Sequence, residues 1–76
     1  MSSQTTPLFA ASAQDILWRL RGRQTEVAGR LRLEAEELLS AFLEWPESPP
    51  TSTVRLTTIN RLFMLYREVL DYVGKK

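Results

Sequence analysis

The sequence predicts an all-α protein: an antiparallel helical hairpin with a long first helix, completed into a coiled-coil-like helical bundle by oligomerisation or by a partner. Three observations lead there. Apolar residues recur at alternating spacings of three and four along most of the chain, which is the period of one helix face. Three of the four prolines fall together, at Pro46, Pro49 and Pro50, where no helix can continue. The chain has 76 residues, 43% of them hydrophobic, and neither Cys nor His. A single domain of that length is short of core and has no disulfide or Cys/His zinc site to staple it, so association with other helices is the remaining support.

Residues 1–11 read as a flexible N-terminal tail, small and polar apart from Leu8 and Phe9, with Pro7 set against regular structure. Ser12 with Asp15 three residues later forms a capping box, and the apolar period starts at once with Ile16 and Leu17. A long helix over 12–45 follows. Its seam is Leu17, Leu20, Gln24, Val27, Leu31, Glu34, Leu38, Ala41 and Trp45. Gln24 and Glu34 are polar on that seam, as register or partner-choice positions are, or as residues are where a seam leaves the core. Gly22 and Gly29 each cost about 1 kcal/mol in a helix interior. Tolerated surface glycine is the plainer reading of the pair, and a bend around Gly22 or the close approach of another backbone are the functional ones.

Pro46 to Thr51 forms a stiff Pro-rich turn, after which Thr51, Ser52 or Thr53 can cap a second helix over 52–73. Ile59, Leu62, Tyr66, Val69 and Val73 give that helix its seam. Gly74 ends it, and Lys75 and Lys76 suit the negative end of the helix dipole. Counting outward from the turn sets Leu38 near Ile59, Leu31 near Tyr66 and Gln24 near Val73. On this count Ile16, Leu17, Trp18 and Leu20 project beyond the hairpin uncovered. The second helix also carries Val54, Leu56, Phe63, Leu65, Leu70 and Tyr72, more apolar surface than one neighbour can cover.

Ten Lys plus Arg against nine Asp plus Glu leave a net charge of +1, which does not steer the chain toward nucleic acid or an anionic membrane. The distribution is less even. Arg19, Arg21, Arg23, Arg30 and Arg32 make the first half of the long helix basic, while Glu34, Glu36, Glu37 and Glu44 make its second half acidic. The acidic half lies beside Arg55, Arg61 and Arg67 of the second helix, whereas the basic half has no internal counterpart in this hairpin and is left for electrostatic contacts with a partner.

Without His, Cys or a Gly-rich phosphate loop, and with carboxylates only on a helix surface, nothing assembles a catalytic, cofactor-binding or metal site. The reading is therefore a non-enzymatic helical subunit or adaptor, a scaffold-like component of a larger complex. It is expected to bind helical protein partners, as a hetero-oligomer or a homodimer, with no small-molecule substrate. The expected contact residues are Ile16, Trp18, Leu20, Gln24, Leu31 and Leu38 on the first helix and Leu62, Phe63, Leu65, Tyr66 and Leu70 on the second. A second reading is a small dimeric nucleic-acid-associated regulator using the Arg19 to Arg32 segment, and a third is a helical chaperone or inhibitor that masks a partner helix. No apolar run is long enough to span a membrane or shaped like a secretory signal, so the chain reads as intracellular, in cytoplasm or nucleus. Thr6-Pro7 and Ser48-Pro49 have the form of proline-directed phosphorylation sites.

Overall fold

The structure, a computed structural model, describes residues 5–74, with side chains from Leu8 onward. Three helices and no strand make up the described residues: α1 over Thr5–Arg19, α2 over Glu26–Glu44 and α3 over Ser52–Gly74. The expected long helix over 12–45 is thus two helices, and most of the expected tail belongs to the first of them.

α1 begins at Thr5, so Pro7 lies in its first turn, where a missing N–H breaks no helical hydrogen bond. Ala10, Ala13, Ile16 and Leu20 recur at spacings of three and four and are all buried. Ala10, read as a tail residue, and Ala13 are the small side chains that let α1 lie close against α2. The helix stops because Gly22 takes φ +83°, a left-handed conformation that reverses the chain and that glycine adopts without strain. Arg32 secures the break, its guanidinium donating to the carbonyls of Arg23 (2.8 Å) and Leu20 (3.4 Å). Thr25, extended at φ −89° and ψ 164°, then caps α2 by accepting from the Ala28 N–H at 3.1 Å. A single helix over 12–45 would be about 50 Å long at 1.5 Å per residue. The whole molecule measures 41 Å along its longest axis.

The turn after α2 behaves as its prolines require. The Glu47 and Ser48 N–H groups both donate to the Glu44 carbonyl, Pro46, Pro49 and Pro50 need no partner for an N–H, and Thr51 caps α3 by accepting from the Val54 N–H at 3.3 Å. Ser48 is exposed in this turn. Thr6's side chain and the lysines at 75 and 76 lie outside the described residues.

α2 is antiparallel to both neighbours. Phe9 packs against Phe42 and Trp45 near one end of α1 while Leu20 meets Arg32 near the other. On the α3 side, Thr25 bonds Tyr72, Arg30 bonds Glu68, and Arg61 lies beside Glu34 and Glu37. α1 and α3 therefore run parallel, side by side. The core between the three helices is closed at the α2–α3 turn by Phe9, Phe42 and Trp45, whose rings meet at centroid distances of 5.4, 4.9 and 6.3 Å. Leu31, Leu38, Leu62, Leu65 and Val69 continue it toward Ile16 and Leu20. Every large residue in this core is apolar, and no buried polar side chain lacks a partner among the described residues.

The break at Gly22 removes the expected overhang. Ile16 and Leu20 do not project from a hairpin but are fully buried, because α1 folds back and supplies from the same chain a third helix for the bundle.

Candidate interaction surface

Two sets of polar contacts fix how α3 is rotated about its axis. On one flank Arg61, Glu68 and Tyr72 reach α2: Arg30 Nη2 donates to Glu68 Oε2 at 2.9 Å, and Arg61 lies 3.5 and 3.8 Å from the carboxylates of Glu34 and Glu37. On the other flank the Tyr66 hydroxyl donates to Asp15 Oδ2 of α1 at 2.5 Å, and the same oxygen accepts from Arg19 Nε at 2.8 Å. Between these flanks Leu62, Leu65 and Val69 point inward.

The charges of the Asp15 cluster support one another. Donation from Tyr66 and then from Arg19 holds the Asp15 carboxyl below its ordinary range. The hydrogen bond to Asp15 in turn raises the Tyr66 phenol above its usual value. Arg30 is held more firmly protonated by its bond to Glu68.

This rotation leaves a stripe of α3 that no other described helix covers. Leu56, Phe63 and Leu70 recur every seven residues and are 68%, 61% and 46% exposed. Ile59, Tyr66 and Val73 lie beside them, half-buried at the edge of the core. The six residues alternate at spacings of three and four, the pattern by which one helix packs along another, over a length of about 25 Å. Leu8 extends the surface onto α1. It stands seven residues before Asp15, on the side of α1 that meets Tyr66, and is 64% exposed. Other exposed apolar residues, among them Leu33, Leu43 and Met64, lie off this stripe, and Trp18 stands on α1 beside Ala11, Leu17 and Leu39.

The residues expected from sequence to contact a partner divide sharply. Ile16, Leu20, Leu31, Leu38, Leu62 and Leu65 are committed to the molecule's own core. Gln24 is exposed, but in the α1–α2 connection and not on a helix seam, and Glu34 pairs with Arg61. Phe63 and Leu70 are on the open stripe with Tyr66 at its edge. Trp18 is exposed on the far side of α1, with the Arg21 guanidinium 3.8 Å from its ring centre. Leu56 completes the stripe and was not among the expected contacts; its place seven residues before Phe63 is the signal that would have found it.

The basic segment does have internal counterparts. Arg19 pairs with Asp15, Arg21 stacks on Trp18, Arg23 lies 5.5 Å from the Tyr72 ring centre, Arg30 pairs with Glu68, and Arg32 binds backbone carbonyls. Its arrangement follows from α1 returning along α2, which brings acids and rings within reach.

Surface depressions occur over Ala11, Leu17, Trp18 and Leu39, and over Arg21, Gln24, Arg32 and Glu36. Both are shallow and open. Among the described residues no three Asp or Glu side chains converge as metal ligands would, and no helix is long and apolar enough to cross a membrane. Comparison with protein-family models, with curated proteins and with solved structures gave no match.

Proposed function

We propose that the chain is a small non-enzymatic assembly module: a three-helix unit that folds on its own core and joins other helical protein surface through the outer stripe of α3. One observation carries this reading. Leu56, Phe63 and Leu70 keep a strict seven-residue spacing although they are largely exposed among the described residues. Isolated surface leucines need no explanation, but large apolar residues aligned on one helix face, beside a half-buried second row, form the seam a helix partner fits. The aromatic at the centre of the stripe suits the role of an anchor. Assignment of Ile16, Leu20, Leu31, Leu38, Leu62 and Leu65 to the internal core narrows the binding surface to Leu56, Ile59, Phe63, Tyr66, Leu70 and Val73. The arginines of the basic segment, engaged with neighbours in the same molecule, support the nucleic-acid reading less.

The test is affinity purification of the tagged chain from its native cells, comparing wild type with Phe63→Glu and counting untagged copies of the chain among the retained proteins. Proteins held by the wild type are expected to be lost from the variant while its helicity is unchanged. Equal retention by both chains would refute the assembly reading.

A further inference from the structure

We propose that Ser48 is a phosphorylation site, the acceptor for a proline-directed serine/threonine protein kinase. The inference goes beyond the assembly reading and makes no use of the α3 stripe, so either can fail without the other.

The residue order around Ser48 selects the class of enzyme. Pro49 follows the hydroxyl and Pro46 stands two residues before it, giving Pro46-Glu47-Ser48-Pro49. A proline after the acceptor has no N–H. A kinase pocket without a hydrogen-bond acceptor at that position takes proline, where any other residue would bury an unpaired donor. Kinases that read basic residues find none nearby, because no Lys or Arg lies between Arg32 and Arg55. Kinases that read acids after the acceptor meet Pro49, Pro50 and Thr51 instead.

The structure separates Ser48 from the other hydroxyls. Among the Ser and Thr residues of the chain only Thr6 and Ser48 precede a proline. Thr6 lies in the first turn of α1, with helical backbone. Thr51, Ser52 and Thr53 are exposed at the start of α3, and none of them precedes a proline. Ser48 is exposed outside any helix, and its hydroxyl makes no hydrogen bond among the described residues.

Backbone chemistry prepares the segment for a kinase cleft, which takes its peptide extended. A residue before a proline is pushed from the helical toward the extended region, and here that applies to Ser48 and Pro49 in succession. Upstream, the turn is closed by two N–H groups that share one acceptor, Glu47 at 3.1 Å and Ser48 at 2.8 Å from the Glu44 carbonyl. Opening those two bonds extends Pro46 and Glu47. Trp45, buried against Phe9 and Phe42, meanwhile holds the end of α2 in place. In the transfer the Ser48 Oγ bonds to the γ-phosphorus of ATP and the bond to the β–γ bridging oxygen breaks to release ADP. The hydroxyl proton passes to the catalytic carboxylate of the kinase.

The test uses the full chain, ATP and a purified mitogen-activated protein kinase as the proline-directed probe. The chain should gain the mass of one phosphate, placed on Ser48 by fragmentation. Ser48→Ala should abolish the gain and Thr6→Ala should leave it unchanged. Pro49→Ala keeps the hydroxyl and should slow incorporation at least about tenfold, with helicity retained by circular dichroism. Chain isolated from its native cells should carry phosphate at Ser48. No incorporation, incorporation at Thr6 with Ser48 unmodified, a Pro49→Ala rate equal to wild type, or unmodified Ser48 in chain from native cells would each overturn the proposal.

Discussion

Replacing Gly22 by alanine tests the feature that most shapes this molecule, the reversal between α1 and α2. Gly22 holds φ +83°, and a Cβ built there would meet nothing within 4 Å, so the substitution acts through the backbone alone. A left-handed conformation costs an L-residue about 1–2 kcal/mol. Loss of glycine's freedom in the unfolded chain returns about 0.4–1 kcal/mol. The net destabilisation is then about 0–1.6 kcal/mol, and its midpoint of about 0.8 kcal/mol corresponds to about 3–6 °C in Tm for a domain this small. Straightening α1 and α2 into one helix would relieve the strain, but it would expose Ile16 and Leu20, both at 0%. That exposure costs about 1.5–3 kcal/mol for each side chain, more than the strain it relieves. Gly22→Ala is therefore expected to keep the compact fold and melt earlier. Gly29 is the control: it has equally open surroundings but no positive φ, so Gly29→Ala should gain about 0.5–1 kcal/mol of helix propensity. Thermal melts by circular dichroism and the radius of gyration by X-ray scattering read both variants. A Gly22→Ala chain that melts later than wild type, or that becomes elongated, would refute the reasoning.

Three further outcomes follow from the same contacts. Phe42→Ala removes the ring at the centre of the aromatic cluster, fully buried against Phe9 and Trp45. The loss of about 3–5 kcal/mol is a large part of the roughly 4–11 kcal/mol expected for the whole domain, and urea unfolding should show a collapsed midpoint. Thr25→Ala deletes the α2 cap and the bond to Tyr72 and should cost about 1–2 kcal/mol, with Thr25→Ser retaining most of it in the same assay. The Asp15–Tyr66 link should give a plateau of stability at neutral pH with losses on both sides. Asp15 titrates below its ordinary value when folded, so its contribution is present above the unfolded pKa and is lost as pH falls through the lower folded one. Tyr66 titrates above its ordinary value, so its contribution is complete below the unfolded pKa and is lost as pH rises through the folded one. Urea midpoints across pH should show the acid-side loss in wild type and a flatter acid limb in Asp15→Asn.

The helical class and the turn at Pro46 to Pro50 were readable because each depends on local chemistry: a period in apolar residues and a cluster without backbone donors. The break at Gly22 was harder to read. Leu17, Leu20, Gln24 and Val27 keep the three-four spacing straight through it, so the pattern alone reads as one helix, and a single glycine is compatible with bend and surface alike. The paired local signals are the left-handed glycine and the Thr25 cap three residues on. Missing that break misassigned Ile16 and Leu20 to an overhang and left the arginines without partners, since both conclusions depended on where α1 goes. Residues before Ser12 looked like tail because Pro7 stands against regular structure and Ala10 registers as neutral in a hydropathy pattern, although small side chains are what close helix packing selects. The candidate surface was half legible. Phe63 and Leu70 stood out as surplus to one seam, but which seam of α3 faces inward is decided by Arg61, Glu68 and Tyr72 reaching α2 and Tyr66 reaching Asp15, and those pairings exist only once three helices are assembled.

Neighbouring residues on α3 offer the most direct test of the claim that its outer stripe lies outside the molecule's own core. Leu62 is 1% exposed and Phe63 61% exposed. Thermal melts of Leu62→Glu and Phe63→Glu, taken where the chain is monomeric, compare a buried charge with a surface one on consecutive positions. The account predicts that Leu62→Glu abolishes the cooperative transition, while Phe63→Glu melts within about 0.5 kcal/mol of wild type. Unfolding by Phe63→Glu, or a native-like melt for Leu62→Glu, would contradict it.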